Sequence, residues 1–109
     1  MMPPKLNDQS IEEAAALLRD AAPGATIILF GSCARGSYGP ESDADFLVVE
    51  SEVVSQHAEM VRLRDVLRPL RIPVDVLVTT AAAYEHWADT PGTLYYEAKR
   101  EGRVCHGNG

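Results

Sequence analysis

Two short apolar runs, Thr26-Ile27-Ile28-Leu29-Phe30 and Phe46-Leu47-Val48-Val49, frame the most constraining segment of this chain. The first ends in Gly31-Ser32 and the second opens with Asp43-Ala44-Asp45, with ten residues between Ser32 and Asp43. Apolar stretches this short, β-branched or aromatic at several positions, read as buried strands. A strand that ends in Gly-Ser, then a loop, then a strand opening with paired carboxylates, can hold a phosphate chain and a divalent metal. Alternation along the second strand puts Asp43, Asp45, Leu47 and Val49 on one face and Ala44, Phe46 and Val48 on the other. Both carboxylates then project together.

The remaining elements follow from periodicity and punctuation. Ser10 with Glu13 three residues on reads as a capping box, and Ile11, Ala14, Ala15 and Leu18 fall on one helical stripe, so a helix is predicted from Ser10 to about Ala21, closed by Pro23-Gly24. Residues Ser32 to Gly36 suit one or two helical turns, and Gly39-Pro40 marks a loop. A long helix is predicted from about Val53 to Leu70, with Met60, Leu63, Leu67 and Leu70 on its apolar stripe. Arg62, Arg64, Arg68 and Arg71 fall mostly off that stripe and read as a solvated basic face.

Val74 to Val78 is a third strand, with Asp75 its only charge. Ala81–Ala88 and Thr93–Glu101 read as two further helices split at Pro91-Gly92, and Arg103-Val104-Cys105 as an edge strand. Strand, long helix, strand in that order favours a single α/β (α+β) domain over residues 1–109, with helices packed mainly on one face of a small mixed sheet of three to four strands. Gly107-Asn108-Gly109 is expected to fray.

Composition sets limits on function. The 109 residues carry a net charge of -6, which argues against broad binding to a nucleic-acid backbone, so no direct nucleic-acid binding is expected. A small anionic substrate is compatible with that charge, because bound Mg2+ reverses the sign of a site locally. No apolar run is long enough to span a bilayer and Met1 to Lys5 lacks a signal core, so the expected location is the cytoplasm, with no membrane partner. Cys33 and Cys105 fit no zinc spacing and read as reduced thiols; His57, His86 and His106 show no ligand spacing. Trp87, Tyr84, Tyr95 and Tyr96 read as core or interface aromatics. There is no Gly-x-x-x-x-Gly-Lys and no Gly-x-Gly-x-x-Gly, so the common phosphate-loop and dinucleotide folds are not supported.

The chemistry follows from the residue types. Asp43 and Asp45 can share one or two metal ions, and Asp75, on a strand expected to lie beside them, adds a third carboxylate. Three carboxylates brought together repel and raise at least one pKa, whereas a hard cation turns the same cluster favourable. Gly31 lets the backbone approach a phosphate, Ser32 offers a hydroxyl and amides, and Arg35 adds positive charge near a triphosphate or steadies the loop. Singly, a Gly-Ser dipeptide, an Asp-x-Asp strand start or one strand aspartate is commonplace. Their ordered spacing is what singles them out.

The pattern Gly-Ser, ten residues, Asp-x-Asp resembles that of the nucleotidyltransferase superfamily related to DNA polymerase beta and kanamycin nucleotidyltransferase. The loop Gly31-Ser32-Cys33-Ala34-Arg35-Gly36, the start Ser42-Asp43-Ala44-Asp45, and the ending Lys99-Arg100-Glu101-Gly102-Arg103-Val104 are similar to those of its small branch, the minimal nucleotidyltransferases. The resemblance implies Gly31 and Ser32 at the triphosphate of ATP, and Asp43, Asp45 and Asp75 as catalytic, Mg2+-binding carboxylates. Larger members carry a second, helical domain that this chain is too short to include. Similar small proteins pair with a helical HEPN-type toxin and can transfer AMP to one of its tyrosines, which implies a protein adenylyltransferase serving as antitoxin. Transfer to a small molecule of the aminoglycoside kind, neutralisation of the partner by binding alone, and a purely structural accessory role are the alternatives. An exposed sheet edge is also compatible with a homo-oligomer.

Overall fold

The computed structural model describes residues 6–36 and 43–106. The expected loop at Gly39-Pro40, Ser42, the segment Met1 to Lys5 and the terminal Gly107-Asn108-Gly109 lie outside the described residues.

The first helix, α1 (Asp8–Ala21), starts three residues earlier than the Ser10 cap predicts. Asn7 is its N-cap: its side chain accepts from the Ser10 amide at 2.9 Å, and Ser10 Oγ accepts from the Asn7 amide at 2.9 Å. Ser10 therefore closes a capping box from the third helical position instead of opening one, because Asn is as good a cap and comes first. Ile11, Ala14, Ala15 and Leu18 are the buried stripe, as the periodicity predicts.

Strand β1 (Thr26–Phe30) runs into a single 3-10 turn, Ser32–Arg35, before strand β2 (Ala44–Glu50). Helix α2 (Gln56–Leu67) begins at a Ser55 cap and tightens into a 3-10 turn over Arg68–Leu70, where Pro69 cannot continue the α-helical ladder. Val53 and Val54, placed in this helix by the sequence reading, precede the cap. Strand β3 (Val74–Thr80) leads directly through the Thr80 cap into α3 (Ala81–Trp87); α4 (Leu94–Glu101), capped by Thr93, and strand β4 (Arg103–His106) follow.

The four strands lie in the order β3-β2-β1-β4. The β1/β2 and β1/β4 pairs are antiparallel, whereas β2 and β3 are parallel, joined by the α2 crossover. One sheet face (Ile27, Leu29, Ala44, Phe46, Val48, Val76, Val78) packs under α1 and α2, the two long helices, with Leu18, Leu63 and Leu67. The other face (Ile28, Phe30, Leu47, Val49) is covered by the short α3 and α4 through Tyr84, Tyr95 and Ala98. Phe46 is fully buried, a position where one side chain contributes about 1.5–3 kcal/mol.

Helix α4 sits close on the sheet because Gly102 follows it. A Cβ there would lie 2.7 Å from Ile28 Cγ2 and closer still to the Ala98 carbonyl oxygen. The glycine lets the chain turn sharply into β4 beside β1. No helix among the described residues is long and apolar enough to cross a membrane.

Candidate active site

The register of the sheet gathers the carboxylates. Phe30, the last residue of β1, pairs with Asp45, and Asp45 in turn pairs with Asp75 across the parallel β2/β3 ladder. Both aspartates share the sheet face of Leu47 and Leu77, beneath α3 and α4. Asp43 is exposed just ahead of β2. The sequence expectation that β3 neighbours the Asp-x-Asp strand thus holds in detail, because the parallel crossover places like ends together.

Gly31, just after β1, lies against Asp45 from the other side. Its φ of 77° suits glycine, and a methyl group added to it would stand 2.7 Å from Asp45 Oδ2. The backbone is therefore laid against a carboxylate with no room for any side chain. The Asp45 carboxyl is pushed above its usual range, first by burial and then by the negative charges of Asp75, Asp43 and Glu97. Such mutual repulsion is what a bound cation removes.

Beyond Gly31, the Ser32–Arg35 turn is fastened at both ends. The buried Cys33 donates from Sγ to the Asp43 carbonyl oxygen at 3.3 Å, tying the loop to the start of the carboxylate pair. Burial and the charge of Asp45 hold its thiol above the ordinary value, in keeping with an unreactive structural cysteine. Ser32 is half-buried beside it. Arg35 reaches α4, where Nη1 pairs with Glu101 Oε2 at 3.2 Å. Of the two roles open to Arg35, steadying the loop is the one visible here.

Two residues near the cluster escape motif reading. Glu97, on α4, adds a third negative charge to the field at Asp45 and lines an open groove of about 500 Å3 with Thr93, Tyr96 and Arg100. Arg64 belongs to the supposed solvated face of α2, yet its Nη2 lies 2.5 Å from Asp75 Oδ1 and 3.3 Å from the Val76 carbonyl oxygen. That corrects the reading of Arg64 as a purely solvated charge. No spacing rule flags either residue; only the packing of their helices does.

All-carboxylate donors suit a hard divalent cation. Among the described residues no three His, Cys, Asp or Glu side chains already form a ligand shell. That is compatible with Mg2+, which is usually held by one or two carboxylates together with substrate phosphates, not by an all-protein cage. The Asp43–Asp45 pair, with Gly31 leaving the Asp45 carboxylate uncrowded, fits that mode.

Comparison with known proteins identifies the family and the fold. Residues 11–100 match the family model described as nucleotidyltransferase domain. No curated protein matches the chain. Among solved structures, a toxin-antitoxin with AMP-PNP is similar at 25% identity and a TM-score of 0.65, covering 94% of this chain and 75% of that one. The structure of the tri-AMPylated Shewanella oneidensis HEPN toxin in complex with MNT antitoxin is similar at 20% identity and a TM-score of 0.62, over 94% of this chain and 74% of that one. Spectinomycin adenyltransferase from Enterococcus faecialis, solved with ATP and spectinomycin, shares the fold at 19% identity and a TM-score of 0.67, over 95% of this chain and 57% of its own.

Proposed function

Because the chain belongs to the nucleotidyltransferase domain family, we propose that it transfers AMP from ATP to a hydroxyl acceptor, a tyrosine of a HEPN-type partner protein, and so acts as an antitoxin. The observation that carries this reading is the convergence of Gly31 on Asp45, with Asp43 and Asp75 beside it. The likeness to a toxin-antitoxin bound to AMP-PNP supports the nucleotide and the partner class.

In this reading Asp43 and Asp45, with Asp75 as third carboxylate, hold Mg2+. The ion when bound neutralises phosphate charge and the charge that develops in the in-line transition state. Gly31 and Ser32 receive the triphosphate, since the glycine leaves the backbone bare and the serine offers a hydroxyl. Arg35, braced by Glu101, adds positive charge at the same loop. The acceptor oxygen forms a bond to the α-phosphorus as the bond from that phosphorus to the bridging oxygen breaks. Pyrophosphate leaves, and the hydroxyl proton passes to the carboxylate of Asp75.

The test is incubation with each labelled nucleoside triphosphate and Mg2+, with and without a HEPN-type protein co-purified with this chain, followed by intact-mass analysis. The expected result is one or more AMP units on the partner, absent with the Asp43→Asn/Asp45→Asn double variant. A stable complex with no transfer from any nucleotide would replace this reading with neutralisation by binding alone.

A further inference from the structure

The contact between Arg64 and Asp75 joins parts of the molecule that the sheet separates. Helix α2 packs through Leu63 and Leu67 on the face that holds Phe46 and Val76. Asp75 belongs to the opposite face, with Asp45 and Leu77. β3 is an edge strand, so a long side chain can pass around it. Arg64 does so, and its Nη2 is anchored twice, on Asp75 Oδ1 at 2.5 Å and on the Val76 carbonyl oxygen at 3.3 Å.

We propose that Arg64 is a positioning residue for the nucleotidyl-transfer site, holding Asp75 through Oδ1 and so fixing the orientation of the carboxylate that would serve a bound metal ion. The inference rests on the reading of Asp75 as the third metal-binding carboxylate. Two features favour positioning over simple stabilisation. The pair is about half exposed, with side-chain exposures of 44% and 47%, so as an ion pair it adds little to stability. The second bond, to the β3 backbone, fixes the plane of the guanidinium relative to the strand that carries Asp75, which an ion pair alone does not require. Asp75 in turn lies on an edge strand, and among the described residues no other side chain is hydrogen-bonded to its carboxylate.

Partners of this kind, one bond away from a metal ligand, usually change metal affinity or activity by about 10–100-fold when removed. The experiment is titration of the full chain with Mn2+ in the presence of a non-hydrolysable ATP analogue, read by electron paramagnetic resonance, alongside steady-state transfer kinetics. Arg64→Ala is expected to bind Mn2+ about 10–100-fold more weakly and to lose kcat by a similar factor, with the KM for ATP within about twofold of wild type. Arg64→Lys keeps the charge but not the planar fork, and recovers only part of the loss. In an Asp75→Asn background, Arg64→Ala is expected to have no further effect, because the two act through one carboxylate.

Unchanged Mn2+ binding in Arg64→Ala, with wild type binding normally, would overturn this inference and leave the site reading intact. An effect of Arg64→Ala that persists in full on top of Asp75→Asn would overturn it as well. Wild-type protein that binds no Mn2+ would instead remove the metal-site reading, and this inference with it.

Discussion

The two ends of β2 each carry a carboxyl group pushed above its ordinary pKa, and they are built in opposite ways. At the start of the strand, Asp45 is raised by burial and by Asp75, Asp43 and Glu97, and among the described residues no side-chain cation is bonded to it. At the far end, Glu50 is raised to about 7 by burial and by a hydrogen bond to Glu59. There the protein supplies its own cation: Arg62 grips both Glu59 oxygens at 2.7 and 2.8 Å and donates to the Ala21 carbonyl oxygen at 3.0 Å, joining α2 to the end of α1. Glu59 is held down to about 2 as a result, while Glu50 keeps one buried oxygen, Oε2, without a partner. An acidic pair closed by its own arginine serves the fold. The open one, beside a bare glycine, is the one the proposed function uses.

If that contrast is right, Asp45→Asn separates function from stability most sharply. Transfer activity is expected to fall by at least roughly 10^2–10^3-fold, the scale of removing one group that stabilises transition-state charge. The melting temperature of the metal-free protein should rise, because a repelled carboxylate has been neutralised. A fall in both would place Asp45 among the structural acids instead.

Gly31→Ala comes next. Its φ of 77° and the 2.7 Å approach to Asp45 Oδ2 predict a stability loss of about 1–3 kcal/mol in chemical denaturation together with reduced transfer, as Asp45 is driven out of place. Loss of stability with full activity would show that the close approach is not needed for chemistry.

The closed end of β2 is tested by pH. Glu50 holds its proton more tightly folded, about 7, than unfolded, near 4.5, so its contribution is fully present below the unfolded value and is lost as pH rises through about 7. Glu59 has the opposite sign: its contribution is present above about 4.5 and is lost as pH falls toward about 2. Urea unfolding midpoints for wild type should therefore decline between about pH 5 and pH 8 relative to those of Glu50→Gln. Parallel curves for the two proteins would mean that Glu50 does not hold its proton more tightly in the folded state.

The smallest effect is expected at Arg35. Its pair with Glu101 is exposed on both sides, 50% and 51%, whereas Glu59 is only 18% exposed against Arg62. Arg35→Ala should change stability by less than about 1 kcal/mol, and Arg62→Ala by more, in the same denaturation assay.

The strands and the facing of Asp45 could be read directly because they depend on short-range alternation, whereas Asp43, expected as the first residue of the second strand, lies just ahead of β2. Thr26 to Phe30, the facing of Asp45 with Leu47, and the edge strand at Arg103 all follow from side-chain period and apolar content. Boundaries set by competing caps were harder. Asn7 displaces Ser10 as the start of α1, and Ser55 starts α2 after an exposed Val54 that the apolar pattern had placed inside it. Glu97 and Arg64 were not legible, since each acts at the end of a long side chain from a helix whose position only the packed sheet determines. Charge type alone could have nominated them, but it nominates every other surface acid and base equally.

The sheet order also bears on how the chain acquires its structure. β1 and β2 follow one another in the chain, and that short stretch carries Gly31, Ser32 and Asp43 in the connection and Asp45 at the start of β2. β3 adds Asp75 after a local helical crossover, whereas β4 must find β1 across most of the chain. Closing that distant pair carries the largest loop-closure entropy of the three strand pairings. During synthesis the constellation of glycine and aspartates can be laid down while β1 still has an open edge, and the arrival of α4 and β4 seals the sheet over residues already in register.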